Sequence, residues 1–478
     1  MDNGHIASDD RISVDITWTS SDPHLSGNFA PVGREIEASD LPVIIGRIPA
    51  DLSGAYMRNG PNPLFEPISF TYPMDGDGMI HAVYFDNGRA RYKNRFVRTR
   101  GLAVERRAGH AVYGGLIRPM PVDPALVGSD GEEGPFKNGA FINVLRHGDH
   151  LLALSEASPA YKMTMELETI GEWQAGTSQP ISLGAHNRRH PTTGALFALA
   201  YSAVDPVVSF HQIDKAGNLI RTFPLVLSAP SMIHDFVLTE HHIVLLVGPA
   251  VFDARAAQEG QAFLQWRPEL GTRIAVLPLD GSDAVWLEAP AFFVYHFANG
   301  FERGDRIIID YVRHDSLNLG YGNRKDGLPT LCRLVLDLRS RRVADQRLAE
   351  FGVEFPRIND RLEALVSRFV YVPTRSESLH LAAPPSAVFN TILKVDTESG
   401  TIERNDLGNR IAGEPVFIPK VDAAGEDDGY LAVYAYDPVL RTSDLVLLDA
   451  TRVEDEPIAV IRLPQRVPQG LHGAWIPK

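Results

Sequence analysis

Apolar residues along this chain fall in short runs, and the runs alternate with acidic or glycine-bearing turns. Stretches with the 3.6-residue period of an amphipathic helix are scarce. The clearest turn is Tyr84-Phe85-Asp86-Asn87-Gly88, followed by Arg89–Phe96. Two strand-like runs flank Asn-Gly, the pair that best accepts the positive φ angles of a tight hairpin. Similar turns recur at residues 167–171, 213–217, 279–281, 336–340, 395–400 and 448–451.

Each turn carries an acidic residue, and the seven are Asp86, Glu168, Asp214, Asp280, Asp337, Asp396 and Asp449. Their mean spacing is about 60 residues, with the first two intervals irregular. A unit of short strands repeating at this length predicts an all-β fold, a seven-bladed β-propeller. Hairpins spaced by chance in a β-sandwich are the alternative. The pattern predicts one domain over residues 1–478, with an irregular lead-in at 1–40. Residues 102–140 interrupt the strand pattern and are expected to form loops or helices outside the blades.

A second periodicity rides on the first. Some 16 to 23 residues after most turns comes a lone His or Glu among apolar or small residues. These are His186, His234, His296, Glu354, Glu414 and His472, while Glu156 follows Asp86 only after the interruption. Equivalent positions of successive blades meet around a propeller's axis. Seven blades would therefore aim four histidines and three glutamates at one point. Burying that set is costly unless its members satisfy one another. A cation resolves the problem, with neutral imidazoles as ligands and carboxylates accepting their other N–H groups. The remaining histidines are read as surface or hydrogen-bonded core residues. His190 is among them, because its spacing of four from His186 suits a helix and not a strand.

Composition narrows the classes. The chain has 478 residues, 44% hydrophobic and 22% charged, as expected of a globular protein. Its 40 glycines and 34 prolines suit many short strands joined by turns. A net charge of −14 without a basic run argues against nucleic acid. The single cysteine, Cys332, rules out an internal disulfide or a cysteine-based metal site. The polar first residues lack an apolar signal core, and no apolar run is long enough to span a bilayer, so a cytoplasmic location is expected. No glycine-rich phosphate loop is present to bring in a nucleotide, and nothing implies a partner protein.

At these positions the chain resembles the carotenoid cleavage oxygenase family, from about residue 26 onward. The blocks that carry the likeness are Gly27-Asn28-Phe29-Ala30-Pro31-Val32, Arg58-Asn59-Gly60-Pro61-Asn62-Pro63 and Asp75-Gly76-Asp77-Gly78. The histidine settings are Ala185-His186, Ile233-His234-Asp235, Tyr295-His296-Phe297 and Leu471-His472-Gly473. The carboxylate settings are Leu154-Ser155-Glu156, Glu354-Phe355-Pro356-Arg357 and Glu414-Pro415-Val416-Phe417. The resemblance implies a propeller capped by a dome, to which 102–140 would belong. It implies Fe(2+) held by His186, His234, His296 and His472, with Glu156, Glu354 and Glu414 orienting those ligands. It also implies cleavage of a conjugated alkene by O2 into two carbonyl products.

Two branches compete for the substrate. Stilbene cleavers of the family carry a Lys just before the first orienting Glu, and a Tyr in the segment after an Arg-Thr pair. Here those positions are Ser155 and Leu102, and the aromatic usually found before the Asp-Gly-Asp-Gly run is Met74. Ser155, Leu102 and Met74 are thus candidate pocket residues that offer a phenol no cation. This predicts an apolar carotenoid or apocarotenoid, with a stilbene or other phenylpropenoid as the alternative. Such a substrate would arrive by peripheral contact with a membrane, and the expected entry is the apolar run ending in Leu116-Ile117. A retinoid isomerase and a catalytically silent scaffold also remain open.

Overall fold

All seven acidic turns join the third and fourth strands of a four-layered repeat. The computed structural model describes residues 11–116, 118–128, 131–132, 134–317, 327–380 and 387–478. Ile117 and three residues of the 128–134 stretch lie outside this set. At the first turn Asn87 and Gly88 take φ angles of 51° and 74°, the left-handed pair that a two-residue hairpin requires.

Among the described residues seven antiparallel sheets form the blades. Blade two contains Asn143–His147, His150–Leu154, Tyr161–Met163 and Thr169–Glu172. Blade three contains Asn187–Arg189, Leu196–Tyr201, Val207–Ile213 and Leu219–Val226. Blade four runs from Val237–Leu238 to Val285–Ala289, and blade five from Phe297–Arg303 to Arg342–Arg347. Blade six has Phe369–Thr374, Thr391–Asp396 and Ile402–Asp406, with Arg357 bridged to Tyr371 on the inner side. Blade seven is built on Val416–Pro419, Gly429–Asp437, Thr442–Asp449 and Ala459–Arg462.

The ring is closed from both ends of the chain. The C-terminal strand Gly473–Pro477 pairs with Gly54–Arg58 and becomes the inner strand of blade one. The early strand Val43–Gly46 pairs with Ala459–Arg462 at the outside of blade seven. A closed ring leaves no broad unpaired sheet face.

Both faces of a middle strand pack against neighbouring blades, so these strands read as continuous apolar runs. Seven buried clusters occupy the seven blade–blade contacts. One joins Tyr56, Val83 and Tyr92 of blade one to Tyr434, Leu445 and Ile461 of blade seven. Another joins Phe197 and Phe210 to Ile243 and Leu245. The second half of the outer strand Leu219–Val226 instead alternates between buried and exposed positions, which is the period-2 pattern of a sheet wetted on one side. Helices are few and short among the described residues: Arg100–Ala108, Pro124–Val127 and Ala254–Gln258. The first two fall in the interruption between blades one and two.

Ile476 lies in the cluster between blades one and two with Met57, Ile80 and Val144. Ile476→Ala should cost about 2–5 kcal/mol, the range for truncating a buried Ile. Urea unfolding checks this, and a loss well under 1 kcal/mol would show that the C-terminal strand does not hold the ring closed.

Candidate metal centre

The start of each inner strand faces the axis, and there the chain places its histidines. His186 directly precedes Asn187–Arg189, His296 precedes Phe297–Arg303, and His472 precedes Gly473–Pro477. His234 sits three residues before Val237–Leu238. The four imidazoles are buried, and one nitrogen from each lies within 4.8 Å of the others. Nε2–Nε2 separations are 3.1 Å for His186–His234, 3.3 Å for His234–His296 and 3.1 Å for His296–His472.

Glu354 and Glu414 occupy the matching positions of blades six and seven. His296 Nδ1 donates to Glu354 Oε2 at 2.5 Å, and His472 Nδ1 donates to Glu414 Oε1 at 2.9 Å. Glu156 contacts His234 Nδ1 at 2.5 Å, with poorer alignment than the other two. Its place differs as well: it follows the second strand of blade two, whereas the others precede inner strands. The long segment before blade two had removed the expected phase. The position in register with the histidines is Ile142, whose carbonyl accepts from the His472 N–H at 3.1 Å.

The two hydrogen bonds set the tautomers of His296 and His472, and the Glu156 contact favours the same tautomer for His234. With Nδ1 carrying the proton, three Nε2 atoms turn lone pairs toward one another. Lone pairs about 3 Å apart repel, and hydrogen bonds among them are unavailable. Nitrogens about 2 Å from one divalent ion stand about 3 Å apart, so the observed spacing fits a single cation. Four neutral imidazoles suit iron, zinc, copper or nickel.

The electrostatics differ from ring to ring. Burial, reinforced by His472, His234 and His296, pushes His186 well below its ordinary pKa. Burial also lowers His296, outweighing Glu354. For His234 burial is opposed by Glu156, which prevails and moves the imidazole upward. Against strong desolvation, His296 and His314 hold Glu354 far below the usual carboxylate range. Desolvation also opposes Arg357 and His472 at Glu414, which still falls to about 2. The carboxylates are therefore anions that polarise the rings.

Further side chains complete the cage. His314, read from sequence as an ordinary histidine, binds the second oxygen of Glu354 through Nε2 at 2.8 Å. No sequence signal marked it, since it lies beyond a second strand and not before an inner one. Arg357 reaches Glu414 Oε2 at 3.2 Å. Its signal was its place three residues after Glu354, though its partner belongs to the next blade. His190 stays outside the cage and meets the carbonyl of Glu240 at 3.0 Å.

Two cavities lie near the ring, and of these only the first is lined by its histidines. A channel of about 640 Å³ is lined by residues that follow the histidines and Glu354 in sequence, including Arg188, Asp235, Asn359 and Glu363. A smaller cavity of about 280 Å³ is lined by Phe70, Met74, Phe141, Met232, Phe252 and Phe263. None of the four histidines lines it; it approaches the ring through Glu156, which contacts His234, with Met232, Ile142, Ser155 and Tyr201 also in its wall. Ser155 and Met74 are thus in the cavity wall. Leu102 is not: it packs with Ile12, Leu64, Met79 and Phe96 beneath the helix Arg100–Ala108. One turn later Glu105 faces the cavity instead, beside Tyr113, Leu116 and Lys137.

A seven-bladed propeller with four axial imidazoles and an adjoining aromatic cavity is a non-haem metalloprotein of the oxygenase type. The profile of the retinal pigment epithelial membrane protein family matches residues 29–477. The chain belongs to that family, which includes the carotenoid cleavage oxygenases, and is an oxygen-incorporating oxidoreductase. It is 32% identical to a carotenoid cleavage oxygenase of Mycobacterium tuberculosis, over 96% of this chain and 98% of that one. It is 30% identical to the isoeugenol monooxygenase of Pseudomonas nitroreducens, over 96% and 98% of the two chains. The crystal structure of a Pseudomonas brassicacearum lignostilbene dioxygenase superposes with a TM-score of 0.89 at 28% identity, covering 98% of this chain and all of that one.

The cage predicts one metal ion per chain. His296→Ala removes one ring and the link from Glu354 to the cage, so metal content after desalting should fall well below one equivalent. Full occupancy in that variant, read by elemental analysis, would refute the four-histidine assignment.

Proposed function

We propose that this protein is a non-haem iron(II) dioxygenase that splits a conjugated C=C bond of a carotenoid or apocarotenoid with O2, giving two carbonyl products. The observation that carries the reading is the four-imidazole cage, without an anionic ligand, which Glu156 links to a mainly apolar cavity. His186, His234, His296 and His472 would hold the ion, and Glu156, Glu354 and Glu414 would orient three of those rings. Iron(II), when bound, supplies the electrons and open positions that O2 activation requires. The cavity side chains do the rest: Phe70, Phe141, Phe252 and Met232 exclude water and hold a flat alkene against the ring. Each square ångström of apolar surface they cover contributes about 25 cal/mol.

Residues 102–140, with the two helices there, would form the cover of this cavity within a single domain spanning 1–478. No described helix is long and apolar enough to cross a membrane. Leu116 and the half-exposed Phe136 both line the cavity, which favours this segment as the entry for an apolar substrate.

A second reading has specific support. The cavity is compact, and its wall includes the charged side chains Glu105 and Lys137. Both features favour a shorter aryl alkene, a stilbene or other phenylpropenoid. Relatives named for isoeugenol and lignostilbene chemistry are consistent with it.

Iron-loaded protein incubated with apocarotenals and hydroxystilbenes under isotopically labelled O2 tests the reading. Two carbonyl fragments carrying label are expected. One rearranged alcohol would indicate an isomerase, and no conversion a scaffold. Glu354→Gln keeps a partner for one nitrogen but loses the anion, so iron affinity or turnover should fall roughly 10–100-fold. An unchanged variant would remove Glu354 from its orienting role.

A further inference from the structure

The cavity wall holds a charged group that the alkene chemistry does not use. Lys137 Nζ lies 2.5 Å from Asp77 Oδ1 and 2.5 Å from Glu105 Oε2. Both carboxylates are buried, and the lysine side chain is only 14% exposed. Their other oxygens are committed to backbone: Asp77 Oδ2 accepts from Leu64 N at 3.0 Å, and Glu105 Oε1 from Val112 N at 2.9 Å. The cluster is therefore fixed from three sides. It draws on the Asp-Gly-Asp-Gly block, the helix Arg100–Ala108 and the strand entry to blade two.

The chain makes room for it. A Cβ at Gly101 would fall 2.5 Å from Lys137 Cβ, so glycine lets the lysine lie against the helix. Although burial disfavours its charge, Asp77 and Glu105 keep the ammonium protonated well above its ordinary range. An ammonium has three N–H groups in tetrahedral array, and the two carboxylates take two.

We propose that the third N–H of Lys137, presented to the cavity by Asp77 and Glu105, is a specificity site for a hydroxyl oxygen on one end of the alkene substrate. The inference rests on the alkene-cleavage reading and deepens it. Two carboxylates against one ammonium, with Asp75 and Glu132 nearby, leave no net positive charge to attract an anion. A neutral hydroxyl can accept from Lys137 and donate to Glu105. A carboxylate-ended alkene meets like charge and is rejected. This supplies a polar partner that Ser155 and Leu102 lack, from a different part of the chain.

The test uses matched substrates on the wild-type protein: hydroxyl-ended, unsubstituted and carboxylate-ended. One series is built on a stilbene and one on an apocarotenal, and whichever series shows the hydroxyl preference identifies the source. The hydroxyl-ended member should have kcat/KM at least about 10-fold above both others, since a group built to pair a hydroxyl penalises its absence. Anaerobic binding titrations of the same molecules give the preference without turnover, so a failure of the cleavage reading stays separate from a failure of this one. Lys137→Met should bring the hydroxyl preference to about one, with iron content unchanged. Gly101→Ala should lower it by displacing the lysine without removing its charge. If Lys137→Met does not fold, the Lys137→Gln/Glu105→Gln pair removes the ammonium together with one of its carboxylates, and the hydroxyl preference should again fall to about one. Equal binding of hydroxyl-ended and unsubstituted molecules by the wild type would overturn the proposal, as would a full preference in the Met variant.

Discussion

Everything in this molecule is arranged around imidazole nitrogens that stand 3.1–3.3 Å apart, and in three of the four rings the facing nitrogen has no proton to share. Three of their Nδ1 atoms are engaged by carboxylates, so the proton cannot move to relieve the crowding. The arrangement persists only if something positive sits between the nitrogens or if the scaffold holds them there. The scaffold does hold them: three of the four histidines directly precede a strand locked into a blade. The binding free energy of a metal is then spent on association and little of it on ordering ligands.

This constraint explains what could be read from sequence. Acidic turns between third and fourth strands are local, so each announced itself, and their number equals the number of blades. The distance from turn to next inner strand is set by one crossing of the propeller face, which is why His186, His234, His296, Glu354, Glu414 and His472 kept a common phase. Glu156 escaped the rule because the segment ahead of blade two displaced the in-register position to Ile142. Its role was legible from its motif and not from its spacing. His314 was illegible for a physical reason: it acts through Glu354 from another strand, and no period links the two.

The cavity was less legible than the cage. Its wall comes from the 60s and 70s, the interruption before blade two, and loops of blades three and four. No repeat relates those segments, so only a correspondence of motifs could suggest residues. That correspondence placed Ser155 in the wall but failed at Leu102. On the helix Arg100–Ala108 the side chain at 102 turns to the core, and Glu105 turns to the cavity. The polar partner arrived instead at Lys137, in a stretch whose sequence shows no strand or helix pattern.

The two sides of the ring also differ in kind. Downstream of the histidines the inner strands carry Arg188, Asp235 and Arg357, all paired with carboxylates or cations across blades. Upstream they meet aromatic rings. A propeller produces this asymmetry naturally, because every inner strand runs the same way along the axis and the loops at its start are free to vary. The ring of imidazoles thus lies between a channel lined by ion pairs and a cavity lined mainly by apolar side chains. The final histidine ties that partition to the fold. His472 adjoins the strand that closes blade one, so any opening of the closure withdraws a ring from the centre. A bound ion stabilises the closed ring by mass action, and loss of the ion loosens the same strand. Metal affinity and closure of the propeller are two measures of one equilibrium.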